Sequence, residues 1–290
     1  MANLKEVRTR IASVSSTQQI TSAMKMVSAA KFRRAQNAIL GMRPYAAELN
    51  AIIGDIDVED GVLTAYHEVR PANNVLLVVV TSNKGLCGAF NSNVIKEASS
   101  RLRHYQSSGC NSVRMITIGK RGSEFFSKQE GLVCAVYDDI LDNAGFDAVS
   151  AICDDIMASF CEKNYDRVEL IYNQFKNSLT QILSTEQFLP VQPKKGRESS
   201  GQKRNDYIYE PSKEVILREM IPLTLRSQFY RVILDSLAAE HGARMTAMQK
   251  ATDNATELLK ELRLSYNKAR QAAITNEIIE IVSGSEALKG

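Results

Sequence analysis

The chain has 290 residues, 44% hydrophobic and 24% charged with a formal net charge of +3, an ordinary soluble composition with material for one substantial core plus an extended element. Its longest apolar run, 75–80, is far too short to cross a bilayer, and residues 1–10 are polar and charged where a signal peptide needs an apolar core. The five cysteines, Cys87, Cys110, Cys134, Cys153 and Cys161, are odd in number and lack a C-x-x-C spacing, which argues against a disulfide framework or zinc site and for a reducing compartment.

A long helix is predicted over 3–56, from Leu4, Val7, Ile11 and Val14 in a three-four pattern that drifts through Thr17, Ile20, Met24 and Val27. Small residues at Ala29, Ala30, Ala35 and Ala38 let a neighbouring helix come close, and Gly41 with Pro44 predicts a bend. This arm is basic. Lys5, Arg8, Arg10, Lys25, Lys31, Arg33, Arg34 and Arg43 stand against only Glu6 as far as Tyr45, which points to an acidic partner surface. Residues 57–74, with Gly61, Pro71, Asn73 and Asn74, form a linker.

An α/β head follows over 75–211. The β-branched and aliphatic run 75–80 is a strand buried on both faces, and 91–106 is helical. The alternation repeats with 113–118, 121–128, 132–137, 146–163 and 167–172, then a strand over 179–189, which makes the sheet largely parallel. A Pro- and Gly-containing loop at 191–206 leads to a strand at 207–210.

The last segment, 212–290, reads as one very long helix, with no proline and only Gly242 between Pro222 and Ser283. Leu225, Phe229, Ile233 and Leu237, then Met248, Ala251, Ala255, Leu258, Leu262, Tyr266, Ala269 and Ala273, line one face. Pairing the two terminal helices as an antiparallel coiled coil buries both stripes. The fold class is therefore α/β, a long coiled coil of the two chain ends plus a Rossmann-like head. About fifty residues of the first helix pair with about fifty of the last, so pairing runs out near Leu262. The tip beyond it exposes Ile274, Ile278, Ile279, Ile281 and Val282, more apolar surface than a lone helix can hide.

Little in the chain resembles catalytic apparatus. The turn TSNKGLCGAF at 81–90 follows a buried strand as a nucleotide loop does, but Gly85 and Gly88 fit neither a Walker nor a dinucleotide spacing, so a tight strand-to-helix turn is set against a phosphate site. Cys87 has no histidine near it in sequence; His67, His104 and His241 lie in other elements. The acidic pairs Asp138, Asp139 and Asp154, Asp155 lack the glycine-punctuated spacing of a calcium loop. No catalytic, cofactor or metal site is expected.

Five stretches, IASVSSTQQITSAMKMVSAAKFRRAQ at 11–36, SNKGLCGAFN at 82–91, DYIYEP at 206–211, ARMTAMQKATDNA at 243–255 and LSYNKARQAAITNEIIEIVSG at 264–284, carry a resemblance over essentially the full length. The chain resembles the gamma subunit of F-type ATP synthases, the central rotor shaft. Gly284 is followed by Ser285 where that family usually has alanine, and the closely spaced cysteine pair of plastid members is absent. The resemblance implies a non-catalytic rotor subunit of a proton-translocating complex. Its helices would stand inside the hexamer of alpha and beta subunits while its head docks on epsilon and the c ring. By the same resemblance Arg270 and Gln271 meet a loop of a beta subunit as a catch, Met24, Lys25, Arg33 and Arg34 face an acidic lever of beta, and Tyr207 to Glu210 belong to the foot that meets epsilon and the ring. The implied location is peripheral, on the cytoplasmic face of a bacterial inner membrane. Two readings from other classes stand beside it: a basic coiled-coil protein that binds nucleic acid, motivated by the N-terminal arm, and a dinucleotide enzyme built on the α/β head.

Overall fold

The computed structural model describes residues 4–55, 65–177, 180–191 and 213–287. Helix α1 spans Leu4–Asp55 and helix α5 spans Lys213–Ala287, each continuing through a proline, Pro44 or Pro222, whose missing N–H removes one intrahelical bond. Between them lie β1 (Asn74–Val80), α2 (Phe90–Ser107), β2 (Ser112–Ile118), α3 (Lys120–Phe126), β3 (Val133–Val136), α4 (Phe146–Cys161), β4 (Arg167–Phe175) and β5 (Gln181–Leu189). The loop predicted at 191–206 beyond Val191, the strand at 207–210, and the linker as far as residue 64 lie outside the described residues. Two compact units result: Met1–Ser28 with Met245–Gly290, and Ala29–Arg244.

The larger unit is built on a five-stranded sheet in the order β3-β2-β1-β4-β5. The first four strands are parallel and β5 pairs antiparallel with β4, as suits a short connection rather than a helical crossover. Alternate residues of β1 face opposite ways. Val75, Leu77 and Val79 pack with Val94, Ala98 and Leu102 of α2; Leu76, Val78 and Val80 pack with Ile152, Ile156 and Phe160 of α4 and with Ile221, Leu225, Phe229, Val232 and Ile233 of α5. Thus β1 is buried on both faces, as its aliphatic run predicts. The start of α5 is a core element of this unit. Farther along, Leu234 and Ala238 of α5 meet Ile39 of α1.

In the smaller unit the chain ends form an antiparallel helix pair. Gln18 Nε2 donates to Thr256 Oγ1 at 2.7 Å and Thr252 Oγ1 donates to Thr21 Oγ1 at 2.9 Å, a register that sets Leu4 level with about Ala269. Pairing therefore extends past Leu262, the expected end, because the first turns of α5 are taken up by the sheet and α1 meets the helix later along its length. From Ile274 to Ser285 every side chain is exposed.

The face of α1 turned to its partner also differs from the expected one. Val7, Ile11, Val14, Gln18, Thr21, Lys25 and Ser28 are buried or half-buried in steps of four and three, while Ile20 is 60% and Val27 57% exposed. On α5, Leu259 at 5% exposure takes the place expected for Leu258 at 37%. A seven-residue repeat carries the seam through polar positions, and an apolar pattern read from sequence slides to the aliphatic residues beside them.

The link between β2 and α3 depends on glycine. Gly119 has φ +102°, and a Cβ there would sit 2.4 Å from the Thr81 carbonyl oxygen; at Gly41, inside α1, a Cβ would meet nothing within 4 Å. Gly119→Ala is expected to destabilise the chain by about 2–4 kcal/mol, whereas Gly41→Ala stabilises it by about 0.5–1 kcal/mol. Chemical denaturation of the two purified variants checks both signs; equal effects would contradict the geometry at Gly119.

Candidate functional site

The strand order reverses around β1, so the turn at its carboxyl end, 81–90, occupies the place where doubly wound sheets bind ligands. Here Ser82 N donates to Asn91 Oδ1 at 3.0 Å, which closes the turn onto the start of α2. Leu86 and Gly88 adopt positive φ, 63° and 62°, and Leu86 points outward, 63% exposed. Cys87 and Phe90 pack on Ala239 and Ala243 of α5. The carbonyl oxygens of Lys84 and Gly85 accept from Arg244 Nη2 at 2.8 and 3.3 Å. A phosphate cradle turns N–H groups to its ligand; this turn offers carbonyls to a guanidinium. It is the tight strand-to-helix turn of the sequence reading, held from behind by α5. Burial pushes the Cys87 thiol up, the opposite of what a nucleophile needs.

Arg244 is itself buried and also donates to Glu240 Oε1 through Nη1 at 2.6 Å. Burial raises the Glu240 carboxyl above its usual range, and the neighbouring guanidinium works against that shift. His241 lies between them in sequence, its Nδ1 buried without a hydrogen-bond partner among the described residues. Desolvation, with the charges of Arg244 and Lys31, lowers it to about 4. Two further arginines tie α5 to the larger unit: Arg226 Nε donates to Asp154 Oδ1 of α4 at 2.7 Å, and Arg231 Nη2 to Glu186 Oε2 of β5 at 3.1 Å. Tyr172 OH donates to the other Glu186 oxygen at 2.6 Å. Sequence reading missed this set, although Glu240 and Arg244 at i,i+4 were a legible signal.

Of the residues singled out in sequence, Met24 and Lys25 are half-buried on α1, and Arg33 and Arg34 are exposed on the part of that helix in the larger unit. Arg270 and Gln271 are exposed on α5. In the register of the helix pair they lie level with the first turn of α1, about 30 Å from Met24, so the catch residues and the Met24–Lys25 pair form separate surfaces. Tyr207 and Glu210 lie outside the described residues. Asp138 accepts from Ser123 Oγ at 2.8 Å and Asp154 from Arg226, so one member of each acidic pair is engaged internally. Among the described residues no group of His, Cys, Asp and Glu is arranged to hold a metal ion.

A family model described as ATP synthase matches residues 3–288. The chain is 55% identical over 292 residues to the ATP synthase gamma chain of Flavobacterium johnsoniae, with 100% of both chains covered, and 52% identical to that of Cytophaga hutchinsonii, with 99% of both covered. Among solved structures it is similar to a chain of the central stalk and c-ring structure of the Tetrahymena thermophila mitochondrial ATP synthase, at 27% identity and TM-score 0.62, covering 80% of this chain and 99% of that one. A chain of the Euglena gracilis mitochondrial ATP synthase rotor shares the fold at 18% identity and TM-score 0.66, covering 93% and 98%.

Two expected outcomes follow from the cluster around Arg244. Arg244→Met leaves Glu240 buried without its hydrogen-bonded cation and takes a donor from the Lys84 and Gly85 carbonyls, of which Lys84 keeps the Ser82 hydroxyl, at a cost of about 3–5 kcal/mol. Adding Glu240→Gln recovers part of that loss in denaturant unfolding; no recovery would mean that the carboxylate is not the aggrieved partner. The second concerns pH. His241 binds its proton in the folded chain only near pH 4 but near 6.5 when unfolded, so its contribution is complete above the unfolded value and is lost as pH falls towards 4. After discounting for partial exposure it is worth on the order of 2 kcal/mol. Glu240, whose proton is held more tightly when folded, works in the opposite sense. The drop in melting temperature between pH 7 and pH 4.5 is therefore expected to be smaller in His241→Gln than in the unaltered chain.

Proposed function

The chain belongs to the ATP synthase gamma-chain family, and from that premise we propose that it is the central-stalk subunit that couples ion flow through a c ring to ATP synthesis and hydrolysis. In this reading it is a non-catalytic rotor subunit of the proton-translocating complex. Residues 1–56 and 212–290 supply the shaft inside the alpha-beta hexamer, and the α/β head, 75–211, follows the linker at 57–74 and serves as the foot on epsilon and the c ring. Because one asymmetric shaft faces the beta subunits from different sides, it holds each in a different nucleotide state, and rotation exchanges those states. No helix among the described residues is long and apolar enough to cross a membrane. That fits a peripheral place in a membrane-associated complex, which we put on the cytoplasmic face of a bacterial inner membrane.

The observation that carries this reading is the end of α5. Ile274, Ile278, Ile279, Ile281 and Val282 are each about half or more exposed, on a stretch of helix with no covered face. Such a surface needs a sleeve. The residue roles proposed are Arg270 and Gln271 as the catch on a beta loop, Met24, Lys25, Arg33 and Arg34 against an acidic lever of beta, and Tyr207 and Glu210 in the foot. The anchoring of α5 by Arg226, Arg231 and Arg244 supports torque transfer, since a foot that slipped on its helix could not turn it. No observation favours the nucleic-acid or dinucleotide-enzyme readings.

Amides of 270–282, beyond the paired turns, are expected to exchange rapidly with solvent in the purified chain and to become protected, by tenfold or more, when the alpha-beta hexamer is added. Equal protection with and without the hexamer, or failure to co-purify with alpha and beta, would overturn the assignment.

A further inference from the structure

In the larger unit the two long helices are held in different ways. α5 is fixed by the apolar ridge it sets against the sheet and by the ties from Arg226, Arg231 and Arg244. α1 brings a single apolar face, Phe32, Ala35, Ile39 and Met42 in steps of three and four, while Lys31, Arg33, Arg34 and Asn37 around it are exposed. Against that face α5 offers Leu234 and the small Ala238.

Phe175 stands where these parts meet. It is the last residue of β4, in register with Gln181 of β5, and two residues before it Asn173 Nδ2 donates to the Phe90 carbonyl at 3.0 Å, so the backbone that carries Phe175 is fixed by the sheet and not by α1. Its ring meets that of Phe32 edge to face, with 5.5 Å between centroids and 64° between planes. The same side chain packs with Ile39, Leu234 and Ala238 on one side and with Cys87, Phe90, Ala239 and Ala243 on the other. Three of these neighbours on α5 are buried alanines, whose methyls are too short to reach across to α1 or to the strand end. The ring takes up that room. An aromatic ring is rigid and has only two side-chain torsions, so between a fixed strand end and a helix it acts as a spacer. Truncating it leaves a void beside the methyls, and a close-packed interior closes such a void where its surroundings can move. β4 and α5 are tied on several sides; α1, which meets the cluster through one face, is the element that can shift.

We infer that Phe175 is a positioning residue, whose ring sets the distance of α1 from the end of β4 and so places Arg33 and Arg34, the residues proposed to face the acidic lever of beta. The spacing follows from contacts within this chain; only its consequence for coupling rests on the rotor reading.

The spacing is tested by distances between spin labels in the full-length chain, with Cys110, Cys134 and Cys161 replaced by serine. One label pair, Asn37→Cys with Ser100→Cys, reports α1 against α2; a second, Glu219→Cys with Ser100→Cys, reports α5 against α2. All three positions are exposed. Phe175→Ala is expected to shift the mean distance of the first pair by about 2–3 Å, within the roughly 3.5 Å thickness of a ring, and to leave the second pair where it is, whereas Phe175→Tyr leaves both unchanged. An unmoved first pair, or an equal movement of both, would overturn the inference. Should the alanine variant fail to fold, Phe175→Leu, a milder truncation with the same expected movement, decides. In the assembled complex Phe175→Ala is expected to lower the protons pumped per ATP hydrolysed by about twofold or more, with Phe175→Tyr like the unaltered chain; coupling that stays unchanged although α1 has moved would overturn the link to Arg33 and Arg34.

Discussion

The packing of the first turns of α5 against one face of the sheet is the contact on which the rest of the structure depends. Ile221, Leu225, Phe229, Val232 and Ile233 complete the hydrophobic core beneath β1 and β4, so this helix is a layer of the α/β unit before it is anything else. The same helix then continues as one member of the pair formed by the chain ends. Apolar burial fixes its position but is poorly directional. The directional component comes from Arg226, Arg231 and Arg244, which bond to α4, to β5 and to the turn after β1. Arg226 and Arg231 are partly exposed and add little stability; the enclosed Arg244 with Glu240 is the costly pair to disturb.

That anchoring explains what became of the ligand position of a doubly wound sheet. The turn after β1 stands where such sheets bind nucleotides, but Ala239, Ala243 and Arg244 of α5 pack and bond against it. The geometry has been turned from recognising a ligand to gripping a helix. Gly119, pressed against the Thr81 carbonyl, and Thr81 Oγ1, which accepts from Gly122 N at 2.9 Å, keep the neighbouring turn equally tight.

The helix pair obeys a different economy. Its seam is rich in small and hydroxyl side chains, and the bonds of Gln18 to Thr256 and of Thr252 to Thr21 cross it where a stable coiled coil would place aliphatic residues. Exposed aliphatics lie outside it, at Ile20 and Val27 and along the end of α5. In isolation this is a weak arrangement. In a subunit enclosed by others it is a sensible one, because the outer surface finds its burial in the assembly.

Much of this was legible in the sequence for simple reasons. The strand at 75–80 announced burial on both faces by having no polar position, the strand-helix alternation required a parallel sheet, and the absence of helix breakers between Pro222 and Ser283 required one long helix. The motifs at 11–36 and 264–284 identified the family. The faces of the helices were not legible, because at Gln18, Thr21, Lys25 and Ser28 the residues that touch the partner are polar, and hydrophobic periodicity then selects the neighbours that do not. Nor was the end of the pairing, since helix lengths do not set a register; the contacts of α5 with the sheet and the bonds from Gln18 and Thr252 do. The grip of Arg244 on the turn after β1 was likewise decided only by folding, which brought together residues 160 apart in sequence that no local pattern relates.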